Sequence, residues 1–180
     1  MSTLNAFQQQ FGKPSPGAQG KVRPYLIDWI QDFIRQSPFV VLATSNADGQ
    51  CDASPKGGKP GFVKVLDERH LFIPDVAGNR LFQSYENVST NSSVGLLFLI
   101  PGYDCTARVN GTVEVVNKEQ LAAMNVEMEI FNPDDHARIW QGLLLTVEEA
   151  YAHRPCAFKF SNLWDVETIA RNQETPLGLP

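Results

Sequence analysis

Apolar and polar positions along the chain alternate in two periods, one helical and one strand-like. Leu26, Ile27, Trp29, Ile30, Phe33 and Ile34 recur at helical spacing, which predicts a helix from Tyr25 to Gln36 with a broad apolar face. Pro24 falls in its first turn, where a missing N–H costs nothing, and Ser37-Pro38 ends it. A strand-rich block follows. Phe39–Thr44 is apolar and rich in strand formers, Ala47-Asp48-Gly49 is a hairpin signal, and Gln50–Ser54 returns. Pro55–Gly61 (PKGGKPG) reads as a basic, glycine-rich loop. Phe62–Leu66 and His70–Ile73 read as short strands joined by a turn at Asp67-Glu68-Arg69.

Residues 79–88 have helical spacing, with Leu81, Phe82, Tyr85 and Val88 on one side. Val94–Ile100 reads as a buried strand. Pro101–Asp104 turns the chain into a long strand, Cys105–Val116, bent near Gly111. Helices are expected at 118–131 and near 134–141. Gly142–Val147 reads as a strand or, through Thr146 and Glu149, as the start of a short helix. About six strands followed by helices predict a mainly β, α+β fold: a small antiparallel barrel flanked by helices. The Gln-, Gly- and Pro-rich start reads as an arm over 1–24 with a short helix at Ala6–Phe11, leaving one domain over 25–180.

The 180 residues, 43% hydrophobic and 19% charged, suit one globular core. The longest apolar run, around Leu96–Pro101, is too short to span a bilayer, and the first residues lack a signal-peptide pattern, so a cytoplasmic protein is expected. Cys51, Cys105 and Cys156 lie far apart, as do His70, His136 and His153, a spacing that disfavours a disulfide framework or a metal site. Residues 118–180 hold 5 basic against 10 acidic side chains, whereas residues 1–117 hold 10 of each. That balance argues against nucleic acid and puts any anion site in the first two thirds.

Three segments there carry candidate chemistry. In Ser54–Gly61, glycines allow close backbone approach and lysines flank them; the alternative is a solvated hairpin loop. Gly78-Asn79-Arg80 precedes a predicted helix, where free N–H groups and a guanidinium suit phosphate, or Arg80 merely pairs with Glu86 or Asp75. Thr106 and Arg108, two apart on a strand, share a face that is either functional or simply wet. No P-loop, Ser-His-Asp arrangement, paired-carboxylate site or HExxH occurs, which suits a cofactor that brings its own chemistry.

Together these segments resemble the flavin-binding core of the pyridoxamine 5'-phosphate oxidase-related family. The resemblance covers about residues 37–117 and rests on SPKG, GFVKVLD, IPDVAGNR and GLLFLIPG with ARVNG, in that order. It implies a split β-barrel that dimerises, with FMN in clefts between subunits. It also implies that Ser54 and Lys56 approach the flavin, that Phe62, Val63 and Lys64 run along its ring, and that Pro74 and Asp75 end a strand near the phosphate side. Asn79 and Arg80 would grip the phosphate, and Thr106 and Arg108 would come from the second subunit. The implied activity is that of an FMN-dependent oxidoreductase of unknown substrate. The alternatives are a non-catalytic flavin binder or sensor, or the same fold holding deazaflavin or haem. The R-x-H-type motif of the vitamin B6 oxidases has no counterpart between Phe158 and Pro180. A homodimer is further expected because the apolar face of Leu26–Ile34, added to the apolar strands, exceeds what one small barrel hides.

Overall fold

The computed structural model describes residues 5–76, 81–124 and 139–178, with backbone alone at positions 19, 76, 139 and 140. In chain order it runs α1 (Ala6–Phe11), α2 (Pro16–Gln19), α3 (Asp28–Gln36), β1 (Phe39–Ser45), β2 (Cys51–Gly57), β3 (Lys64–Val65) and β4 (His70–Val76). Then come α4 (Gln83–Thr90), β5 (Ser93–Leu99), β6 (Thr106–Asn117), α5 (Lys118–Ala123), β7 (Ile139–His153), α6 (Cys156–Phe160) and α7 (Val166–Glu174). The seven strands form one antiparallel sheet in the order β2-β1-β5-β6-β7-β4-β3.

Strand alternation builds the core. Val40, Leu42 and Thr44 of β1, Val94, Leu96 and Phe98 of β5, and Val109 and Val113 of β6 are buried on one face. β7 adds Leu143, Leu145, Val147 and Ala150, and α3 closes that side with Leu26, Ile30, Phe33 and Ile34. A smaller cluster on the opposite face joins Phe72, Val116 and Leu121, so β4 and α5 sandwich a second patch of β6 and β7. Leu26, Ile30, Phe33 and Ile34 of the apolar face over 26–34 are thus buried within their own chain, while Ile27 and Trp29 stay exposed, at 39% and 44%.

The sheet curls until its two ends meet. β2 and β4 are separated by four strands in the order, yet Lys56 Nζ of β2 lies 3.7 Å from Asp75 Oδ1 of β4. α4 fills the remaining seam. Its Asn87 Nδ2 donates to Thr44 Oγ1 of β1 at 2.9 Å, and its Ser84 hydroxyl donates to Asp52 Oδ2 of β2 at 3.3 Å. The bend expected near Gly111 is a register shift against β7, between Asn110 and Gly111. A Cβ on Gly111 would run into the Thr146 carbonyl, so the two strands approach too closely there for any side chain.

Several expected elements are corrected. Residues 25–27 are not helical: Arg23 pairs with Ala150, the chain bends at 24–25, and the Leu26 N–H donates to the Glu68 carbonyl before α3 begins at Asp28. Pro55, Lys56 and Gly57 of the presumed loop belong to β2, because Phe39, Val40 and Val41 pair with them. α4 starts at Gln83, with Phe82 in the left-handed region at φ 50°, and buries Ser84, Asn87 and Val88 while Leu81 and Phe82 stay exposed. Its partners are polar groups on β1 and β2, which the apolar spacing does not register. Residues 139–141 and 146–153 are strand, since β7 pairs with β4 over its first half and with β6 nearly throughout; this is the seventh strand. The rest of the helices expected at 118–131 and 134–141, beyond Met124 and before Ile139, lies outside the described residues. α6 and α7 were not foreseen; neither buries a residue, and Trp164 Nε1 ties this tail to the Tyr103 carbonyl at 2.8 Å.

Candidate functional site

Residues directly opposite on antiparallel strands share a face. Thr44, Leu42 and Val40 of β1 point into the barrel and pair with Asp52, Ser54 and Lys56 of β2. The core-facing side of β2 is therefore wholly polar, and its outer side carries Cys51, Ala53, Pro55 and Gly57. Asp75 lies on the core face of β4 by the same alternation, and Gln141 pairs with it on β7. Tyr85 of α4 is half-buried between them. Burial first, then the Asp75 carboxylate that its phenol faces, pushes Tyr85 well above the ordinary phenol range, while a hydrogen bond with Gln141 works the other way. Ser54, Lys56, Asp75, Tyr85 and Gln141 thus line one polar seam, with Lys56 and Asp75 about three quarters or more covered, at 26% and 19% side-chain exposure.

The other expected residues are distributed around this seam. Val63 is buried in the core. Phe62 packs beneath Gly58, where a Cβ would approach its own Cβ to 2.8 Å, so the glycine run is needed for that close fit. Lys64 pairs with Phe72 and shares its face, away from Lys56, and Pro74 pairs with Gly142. Asn79 and Arg80 lie outside the described residues.

Thr106 and Arg108 are on the opposite side of the sheet. The neighbours Ala107 and Val109 point into the core, so Arg108 faces outward, against Tyr151, with its guanidinium 5.4 Å from that ring's centroid. Thr106 is buried and its hydroxyl donates to the His153 carbonyl at 3.2 Å. Across the sheet Arg108 lies three strands from Lys56, since Arg108 pairs with Leu97, Leu97 with Val41, and Val41 with Pro55, the neighbour of Lys56. What separates the two is the face each occupies, because Lys56 points inward and Arg108 outward. Beside Arg108 an open trough of about 470 Å³ crosses the outer faces of β2, β1 and β5, floored by Ala43, Ala53 and Gly95 and reaching Asn110. A Cβ at Gly95 would sit 3.3 Å from Asn110 Oδ1, so glycine keeps that floor low.

Sequence reasoning missed the polar partners Tyr85, Gln141, Asp52 and Ser84. Helical spacing sets Tyr85 on an apolar side, and nothing in that spacing tells where its hydroxyl ends. Among the described residues no group of three or more His, Cys, Asp or Glu is placed to hold a metal ion, and no helix is long and apolar enough to cross a membrane.

The sequence pattern described as pyridoxamine 5'-phosphate oxidase matches residues 26–151. Among solved structures, HupZ of Group A Streptococcus is 15% identical, with a TM-score of 0.52 over 72% of this chain and 94% of that one. A candidate pyridoxamine 5'-phosphate oxidase from Lactobacillus delbrueckii is 25% identical, with a TM-score of 0.51 over 73% of this chain and 98% of that one. No curated protein matches.

Proposed function

The chain belongs to the pyridoxamine 5'-phosphate oxidase family by the match over residues 26–151, and from that premise we propose that it is a cytoplasmic FMN-dependent oxidoreductase that works as a homodimer. The observation that carries this reading is the division of the basic candidates between two faces of one sheet. Lys56 stands in the inner seam with Ser54 and Asp75, while Arg108 points outward from the other face. A ligand held between two chains can meet the inner seam of one and the outward guanidinium of the other.

The donor set suits FMN. A hydroxyl, an ammonium group and the guanidinium of Arg80 together match a dianionic phosphate. Flavin, when bound, supplies the hydride chemistry, and the chain supplies position and charge. Asn79 and Arg80 would hold the phosphate, with Pro74 and Asp75 at the strand end on that side, while Ser54 and Lys56, the latter paired with Asp75, would approach the flavin. Phe62, Val63 and Lys64 would offer the strand backbone along the ring. Thr106 and Arg108 of the partner subunit complete the site, Thr106 by fixing the strand that presents the guanidinium. No side chain is required as nucleophile or general base. Residues 25–180 act as one domain preceded by an arm.

The test is spectroscopic. The purified protein should be yellow or take up FMN, and Arg80→Ala should weaken FMN by about 1.5–3 kcal/mol, the scale of a charged hydrogen bond, while sparing riboflavin. A colourless protein that fails to bind added FMN refutes the reading. Turnover of NAD(P)H with an acceptor distinguishes the enzyme from a flavin store or sensor. Mixing Arg80→Ala with Arg108→Ala subunits should restore part of the FMN binding if sites are shared between chains.

A further inference from the structure

The segment before α3 meets β7 at a stretch that β4 leaves unpaired. β4 follows β7 as far as Thr146, and beyond it Arg23 exchanges backbone hydrogen bonds with Ala150, at 3.0 and 2.7 Å. The pairing is antiparallel, so the residues just before Arg23 run past Tyr151, and Lys21 Nζ arrives 5.0 Å from the Tyr151 ring centroid. On the other side of β7, strand register sets Arg108 opposite Tyr151, with its guanidinium 5.4 Å from the same centroid. His153 follows two residues later on that face and is half-buried. Burial first, then Lys21 and Arg108, holds its imidazole below the ordinary histidine range.

Two cations at one aromatic ring repel each other, and a tyrosine face attracts each of them only weakly. Among the described residues no carboxylate pairs with either cation. Glu149, two residues before Tyr151, accepts from Asn110 Nδ2 at 2.8 Å, and Asp104 pairs with Arg154 at 3.3 Å. What brings Lys21 and Arg108 together is backbone pairing, which fixes their positions before any counter-charge arrives. Positive charge assembled in advance without a partner is what an anion site needs.

We propose that Lys21, Arg108, Tyr151 and His153 form a binding site for an oxyanion, a phosphate or carboxylate group, with the two cations as charge partners and the imidazole N–H as donor. The site goes beyond the flavin reading: three of its four residues have no part in that reading, and it is complete within one chain. Its oxyanion has two sources, the phosphate of FMN or the acid group of a separate small molecule.

The experiment follows the His153 imidazole by NMR in the flavin-free full chain, titrated with inorganic phosphate against chloride at constant ionic strength. The His153 signal should shift saturably and its pKa should rise, because a bound anion stabilises imidazolium, while His70 stays put. Lys21→Met should weaken the phosphate response about fivefold. Without phosphate, the same variant should raise the pKa of His153, since a like charge is gone. No response up to about 100 mM phosphate, or an equal response in Lys21→Met, overturns the site. If Lys21→Met also weakens FMN while sparing riboflavin, the oxyanion is the flavin phosphate. If His153 still responds to phosphate in FMN-saturated protein, it belongs to a separate molecule. Failure to bind FMN at all would refute the flavin reading and leave the phosphate titration to judge this site alone.

Discussion

Replacing Lys56 and Asp75 singly and together measures how firmly the sheet is tied into a barrel. The Nζ–Oδ1 distance of 3.7 Å corresponds to a gross attraction of about 4–5 kcal/mol at an effective dielectric near 20. Most of it is offset, because both groups give up water and a long lysine side chain is ordered. The side chains are 26% and 19% exposed, between a surface pair and a buried one, so a coupling of about 1 kcal/mol is expected. Asp75→Asn keeps a hydrogen-bonding group for Tyr85 and should cost about 1–2 kcal/mol, and Lys56→Gln about 1 kcal/mol. The double variant should lose about 1 kcal/mol less than the two single losses combined. Equilibrium urea unfolding of the four proteins gives the cycle directly. Additivity within about 0.3 kcal/mol would refute the argument that this pair spans the seam.

Three further substitutions probe the fold around the site. Gly111→Ala should destabilise by about 1–3 kcal/mol, since its Cβ would press on the Thr146 carbonyl; an unchanged unfolding midpoint would mean that β6 and β7 do not approach so closely. Asn87→Ala should cost about 1–3 kcal/mol by stranding the buried Thr44 hydroxyl, and a neutral result would separate α4 from β1. Trp164→Phe removes the 2.8 Å bond to the Tyr103 carbonyl, so limited proteolysis should cut the last twenty residues faster while global stability changes little. An unaltered cleavage rate would show that the tail is held by something else.

Much of the fold was legible because strands with one buried face announce themselves by alternation. Phe39–Thr44 and Val94–Ile100 fall within a residue or two of β1 and β5, and Gly111 marked the bulge by its missing side chain. The failures share a cause: each element was decided by a distant partner. Residues 25–27 carry helical spacing but are kept out of the helix through Arg23 and Leu26, whose backbone partners are Ala150 and Glu68. The basic loop is half strand because β1 lies alongside it. β7 is fifteen residues long, yet half of it looked helical, because Glu148 and Glu149 face solvent at a bulge and break the alternation. In the site, the types of Ser54, Lys56 and Asp75 pointed to polar chemistry. That Tyr85 and Gln141 join them depends on sheet curvature, which leaves no local mark, whereas the outward turn of Arg108 follows from its alternation with Ala107 and Val109.

The position of β7 has a consequence for the order in which the molecule can assemble. It lies between β6 and β4, so before it is made the sheet exists as two pieces: β2-β1-β5-β6, and the hairpin of β4 with β3. Each piece then exposes a bare edge, β6 on one side and β4 on the other, along which another chain can pair. His70 waits for Thr146, and Asp75 for Gln141, pairings that close loops of most of the barrel's length and come slowly. During synthesis the nascent chain therefore carries two unprotected strands until residue 153 has emerged, and a ribosome stalled before that point would release a species prone to aggregate.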